Sequence, residues 1–214
     1  GAVNNTIVHE CVHWDKHRKA FELERLYNGN ATKIKCQVVG GIKDDERNAT
    51  DWMEWQANSL APRIQMPLGP FKTKAHEFIK TFQHSFGVTD LIDVMEPVID
   101  ALATFFCVSR LAAKIRMIDA GYEEAVGTFT YIDDRYVQPH RFKKGALERN
   151  QTFSISAIDA AIQSIAHPGI KEGNYLYIDS HFILGHPKYV TVNLLGETVL
   201  TRYARTHMDE CCLI

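Results

Sequence analysis

The chain has 214 residues, 45% of them apolar and 23% charged, enough for a packed core and too hydrophobic for wholesale disorder. A formal charge of −2 excludes the basic footprint of a dedicated nucleic-acid binder, and no apolar run approaches the ~20 residues that cross a bilayer, so no membrane partner is expected. The five cysteines, Cys11, Cys36, Cys107, Cys211 and Cys212, are an odd and scattered set, which reads as reduced thiols of a cytoplasmic protein rather than a disulfide framework.

The chain opens Gly1-Ala2-Val3 without a methionine. Residues 6–27 read as a helix, because Val8, Cys11, Val12, Leu23 and Leu26 recur at helical spacing and Asn28-Gly29-Asn30 supplies a stop. Within it, His9-Glu10-Cys11-Val12-His13 is an H-E-x-x-H sequence. Residues 9 and 13 lie one turn apart on one face, with Cβ atoms about 5–6 Å apart, so both imidazoles can reach one ion. Glu10 points slightly round the helix, where it can take a proton from a metal-activated water. Such a helix normally packs beneath a sheet, so strands upstream of it are expected in the full-length protein.

A catalytic zinc site needs three protein ligands and one open position. His17 continues the series, but residues 9, 13 and 17 span about 12 Å along a straight helix, too far to share an ion. It is expected to support the ligands from behind or to lie on the surface. Glu54 is the better third ligand. Residues 51–61 follow a polar loop (43–50) and read as a helix that stops near Pro62 or Pro67. Trp52, Trp55 and Ser59, with Met53 and Leu60, give that helix two buried-looking faces. A carboxylate amid those aromatics is unfavourable unless it meets a positive charge, which Zn2+ would supply. Asn58, one turn later, is placed to orient a ligand imidazole.

Residues 91–121 read as two helices. Pro97 suits a first turn, and Leu102, Phe105 and Phe106 give an apolar face. Ser109 can cap the next helix, which runs through Leu111, Ala112, Ile115 and Ile118 to a stop at Gly121. The pair resembles a helix-turn-helix, and Arg110, Lys114 and Arg116 put positive charge on its second member. Without net positive charge in the chain the bland reading prevails: both helices complete a core, and direct nucleic-acid binding is not expected.

From residue 125 the pattern changes. Runs at 127–132, 175–178, 182–184 and 189–192 are β-branched and aromatic, as strands are. A helix at 156–166 between them places Ile158, Ala161, Ile162 and Ile165 on one face. Asp179-Ser180 and Gly185-His186-Pro187 read as hairpin turns. The tail His207-Met208-Asp209-Glu210-Cys211-Cys212 gathers several potential metal ligands, but adjacent cysteines bind one ion poorly and termini are usually mobile.

Three blocks in order carry a family resemblance: H-E-C-V-H-W-D-K-H, then E-W-Q-A-N-S-L-A-P-R-I-Q-M-P, then V-S-R-L-A-A-K-I-R, all within 7–118. They resemble the ImmA/IrrE family of bacterial metallopeptidases, with Met117 in place of a usual leucine. The resemblance implies His9, His13 and Glu54 as zinc ligands and Glu10 as general base. It also implies proteolysis of a DNA-binding repressor in stress or mobile-element regulation. The expected architecture is therefore α+β. A mainly helical, zincin-like metallopeptidase domain lacking its N-terminal strands covers 1–124, including the helix pair at 91–121, and a small α+β domain covers 125–214. The expected activity is that of a zinc-dependent endopeptidase. The alternative is a catalytically silent transcription regulator that binds DNA through residues 109–118. Tyr27, His76, His84, Tyr131 and His140 are candidates to stabilise an oxyanion, with no feature that chooses among them.

Overall fold

The computed structural model of the chain describes residues 2–28, 49–148 and 151–214. The expected stop at Gly29-Asn30, most of the polar loop and Cys36 lie outside them. Among the described residues the chain is α+β and mostly helical, with three separate two-stranded antiparallel sheets. No helix among the described residues is long and apolar enough to cross a membrane. The chain divides into two compact units, one of residues 1–76 with 100–116 and one of residues 77–99 with 117–214.

The first unit opens with α1 (Ala2–Val12), one π-helical turn (His13–His17) and α2 (Arg18–Asn28). The helix expected at 6–27 is thus present but widened once, from the last histidine of the H-E-x-x-H sequence onward. Such one-turn bulges inside α-helices are frequent at functional sites. Helix α3 (Ala49–Gln65) passes through Pro62, and the Met66 N–H still reaches the Pro62 carbonyl at 2.9 Å. It ends just ahead of Pro67, as the steric bias against helical backbone before proline requires. The tryptophans are not its buried face. Trp52 and Trp55 are both nearly half exposed and meet edge to face, their ring centroids 5.6 Å apart. The buried positions are Ala57 and Ala61, one turn apart. Small side chains there suit the close approach of α1 to α3.

Helix α4 (Leu68–Phe86) contributes buried Phe71 to this unit, whose ring lies 5.5 Å from that of Phe106 at the end of α5 (Met95–Phe105). Helix α6 (Arg110–Asp119) is capped as expected, with the Ala112 N–H donating to Ser109 Oγ at 3.1 Å. Its expected apolar face is turned outward. Leu111, Ile115 and Ile118 are exposed, while Ala113, Arg116 and Met117 are buried. The stop at Gly121 is a left-handed residue (φ +97°), which lets its own N–H and that of Tyr122 reach the Ile118 and Met117 carbonyls.

The second unit is built on hairpins. Strands β1 (Thr130–Ile132) and β2 (Arg135–Val137) turn at Asp133-Asp134. Helices α7 (Ala157–Ala166) and α8 (Gly169–Glu172) follow, and then β3 (Tyr175–Ile178) and β4 (His181–Leu184) turn at Asp179-Ser180. All four turn residues have positive φ, the geometry whose twist matches a two-residue hairpin. Strand β5 (Val190–Val192) pairs with β6 (Thr198–Leu200), not with β4. Gly185-His186-Pro187 is therefore a connection between sheets, correcting its reading as a hairpin turn. Ser156 Oγ caps α7 by accepting from the Asp159 N–H at 3.0 Å. The predicted apolar face of α7 is again exposed, Ile165 at 82%, with only Ala160 buried.

The C-terminal segment is packed, contrary to the expectation of a mobile tail. Beyond α9 (Arg202–Thr206), helix α10 (Met208–Cys211) inserts Met208 and Cys211 into a cluster with Phe153, Ile183 and Ala204. Burial pushes the Cys211 thiol up to about 11 and the Cys212 thiol higher still, so neither is a ready thiolate for metal or redox chemistry.

His181 on β4 is buried, 3.0 Å from Ser154 Oγ and edge to face with His140 at 4.9 Å between centroids. Burial, and then the neighbouring His140, push its pKa down to about 3. Below the unfolded value of about 6.5 the unfolded chain binds a proton that the folded chain does not. Stability present above pH 6.5 is therefore lost as pH falls toward 3, with a slope from this residue of up to about 1.4 kcal/mol per pH unit. Urea unfolding at stepped pH is expected to show that decline in the wild type and a shallower one in His181→Gln.

Candidate metal centre

Helix α1 carries His9, the π turn begins with His13, and α3 carries Glu54. The packing of α1 on α3 brings the three side chains together. His9 Nε2 and His13 Nε2 are 3.0 Å apart, His9 Nε2 lies 3.3 Å from one Glu54 oxygen, and His13 Nε2 lies 3.1 Å from the other. These side chains are 13%, 6% and 13% exposed. They form the one group of three or more His, Cys, Asp or Glu residues among the described residues that is placed to hold a metal ion.

Between a carboxylate and two neutral imidazoles, hydrogen bonding leaves one contact of this triangle unpaired. Each Nε2 carries at most one proton, and if both protons point to Glu54 the two nitrogens are left donor to donor at 3.0 Å. A cation facing all three atoms resolves the conflict. Donors bound tetrahedrally at about 2.0–2.1 Å would stand roughly 3.3–3.4 Å apart, and the observed separations of 3.0–3.3 Å are close to that. Two imidazoles and one carboxylate are a donor set that fits a divalent ion, with a fourth position left over. The pKa of His13 is lowered, chiefly by burial against an opposing pull from Glu54 and with help from His9 and His17. Its neutral, ligating form is thereby favoured.

The other residues singled out in the sequence separate. His17 is outside the group placed to hold an ion, and it is buried rather than on the surface. Its Nδ1 lies 3.0 Å from His13 Nδ1, and its Nε2 lies 2.9 Å from Gln56 Oε1. Asn58 is exposed, and the imidazoles of residues 9, 13 and 17 find their partners in one another, in Glu54 and in Gln56. Nothing in the sequence pattern pointed to Gln56, because residues two apart do not share a helix face. The long side chain reaches His17 from the exposed side of α3.

Glu10 is exposed and, with His13, lines a cleft of about 820 Å³ whose other walls include Ile7, Cys11, Trp14 and Phe21. Of the oxyanion candidates, Tyr27 is largely exposed on α2, His76 lies on α4, and His84, Tyr131 and His140 belong to the second unit. Two of the three cations that the DNA-binding alternative would use are engaged within the chain. Arg110 pairs with Asp100, and buried Arg116 donates from Nε to the Met66 carbonyl at 2.9 Å.

Comparisons of the chain with family models, with curated proteins and with solved structures find no match. The functional argument therefore rests on the side chains themselves.

One equivalent of zinc is expected to bind the full chain in competition with a chromogenic chelator. His9→Ala, His13→Ala and Glu54→Ala are each expected to weaken it by more than ~100-fold, beyond the 10–100-fold that loss of a supporting partner costs. Asn58→Ala is expected to leave the affinity unchanged.

Proposed function

We propose that this chain is a zinc-dependent endopeptidase of the ImmA/IrrE kind, built on a zincin-like first unit, that hydrolyses a peptide bond in a repressor-like regulatory protein of the cytoplasm. The observation that carries the reading is the convergence of His9, His13 and Glu54 beside a cleft lined by Glu10. Zinc is the ion of choice because two imidazoles and one carboxylate are the donor set of a catalytic zinc with an open position. When bound, the ion supplies Lewis acidity, bringing the pKa of a water in its shell to about 7 and polarising the carbonyl under attack.

The rest is done by the chain. His9, His13 and Glu54 hold the ion on two helices that pack on one another, so its position is set by the packing and not by a loop. Glu10, next to His9 and open to the cleft, accepts the proton of the attacking water and returns it to the leaving amine. Ile7, Trp14 and Phe21 give the cleft apolar walls that suit an apolar side chain near the scissile bond. The DNA-binding alternative gains no support, since Arg110 is paired and Arg116 is buried.

Glu10→Gln separates binding from chemistry. The variant is expected to retain one equivalent of zinc while cleavage of repressor-like proteins, followed by mass spectrometry of the fragments, falls by 10²–10⁴-fold. Undiminished cleavage by Glu10→Gln would remove Glu10 from the mechanism. Failure of the wild type to cut any such protein while binding zinc would overturn the proteolytic reading.

A further inference from the structure

His13 meets three partners through its two ring nitrogens. Nε2 faces His9 and Glu54, and Nδ1 faces His17 Nδ1 at 3.0 Å. A neutral imidazole has one N–H and one lone pair, and which nitrogen holds which is set by the hydrogen bond the other makes. The contact between the two Nδ1 atoms therefore needs a donor and an acceptor, and the pair alone does not say which is which. Gln56 decides it. Its Oε1 lies 2.9 Å from His17 Nε2, and a carbonyl oxygen can only accept. A neutral His17 then carries its proton on Nε2 and presents a lone pair at Nδ1. His13 in turn must donate from Nδ1, which leaves Nε2 as a lone pair aimed at His9 Nε2 and Glu54.

We infer that Gln56 and His17 form a two-step positioning relay that locks His13 into the Nδ1–H tautomer, so that the nitrogen facing the triangle is ready to ligate before any ion arrives. The inference rests on the metal-centre reading for its purpose but not for its geometry. Three features support a positioning role over incidental contact. His13 and His17 are both buried, so water does not compete for the bond between them. The π turn at His13–His17 lies where the two rings meet. Gln56 sits on the exposed side of α3, where an acceptor has no packing duty. Reversing the amide would reverse the relay, putting the proton on His13 Nε2 and blocking ligation, so the orientation of one exposed glutamine selects between a competent and an incompetent site.

The test is long-range ¹H–¹⁵N spectroscopy of the imidazoles in the full, zinc-free chain, with zinc affinity measured alongside by chelator competition. The wild type should show His13 with a protonated Nδ1 and an unprotonated Nε2. Gln56→Leu removes the acceptor at an exposed position, and His13 should then populate the Nε2–H form while zinc affinity falls 10–100-fold. Gln56→Glu keeps an acceptor and should restore both the tautomer and the affinity to within a few-fold. A wild-type His13 protonated on Nε2, or a Gln56→Leu chain whose His13 stays wholly Nδ1–H, overturns the relay. A wild-type chain with the Nδ1–H tautomer but no zinc binding upholds the relay and defeats the metal-centre reading, so the two failures are distinguishable.

Discussion

Two imidazole nitrogens and a carboxylate held within 3.3 Å of one another are an arrangement that their own protons do not satisfy. In water the conflict would be relieved by rotating one group outward and hydrating it. Here burial of His13 and partial burial of His9 and Glu54 remove that option. Polar groups taken out of water without full pairing are unfavourable by about 1–3 kcal/mol each, so a triangle of this kind is kept only where something compensates. A divalent cation is the simplest compensation that the donor set allows, and the functional proposal follows from that requirement.

What keeps the triangle closed is helix packing. Helix α3 packs on α1 and buries the small side chains of Ala57 and Ala61, and Glu54 reaches His9 and His13 from its own turn. The widened turn at His13–His17 works at a second level. A straight α-helix places i and i+4 side chains side by side, whereas the π turn accompanies a direct contact between the rings of His13 and His17. That contact connects the triangle to Gln56, and so to the outer side of α3.

The apolar faces read from periodicity fared differently from the chemistry. The faces assigned to α6 and α7 are exposed, and the buried stripe of α6 falls on Ala113, Arg116 and Met117. Periodicity reports that a helix has an apolar side, but small residues such as Ala57, Ala113 and Ala160 score weakly in such a pattern although tight packing selects them. The hairpin turns were legible where two residues had to take positive φ, as at Asp179-Ser180. The partners β2 and β6 were not, being three-residue strands with little pattern of their own.

The sequence by itself determined the local chemistry: an H-E-x-x-H spacing that places two imidazoles on one face, a carboxylate on a later helix, Ser109 as a cap, and Gly121 as a stop. Each depends only on residues within about one helical turn, so the backbone geometry of the element suffices. Tertiary structure alone decided how closely Glu54 approaches His9 and His13, that His17 is buried between His13 and Gln56, that Asn58 is exposed, and that Cys211 lies in a core. These depend on which helix packs against which and at what rotation, and that is set by the summed fit of many side chains, which no local spacing encodes.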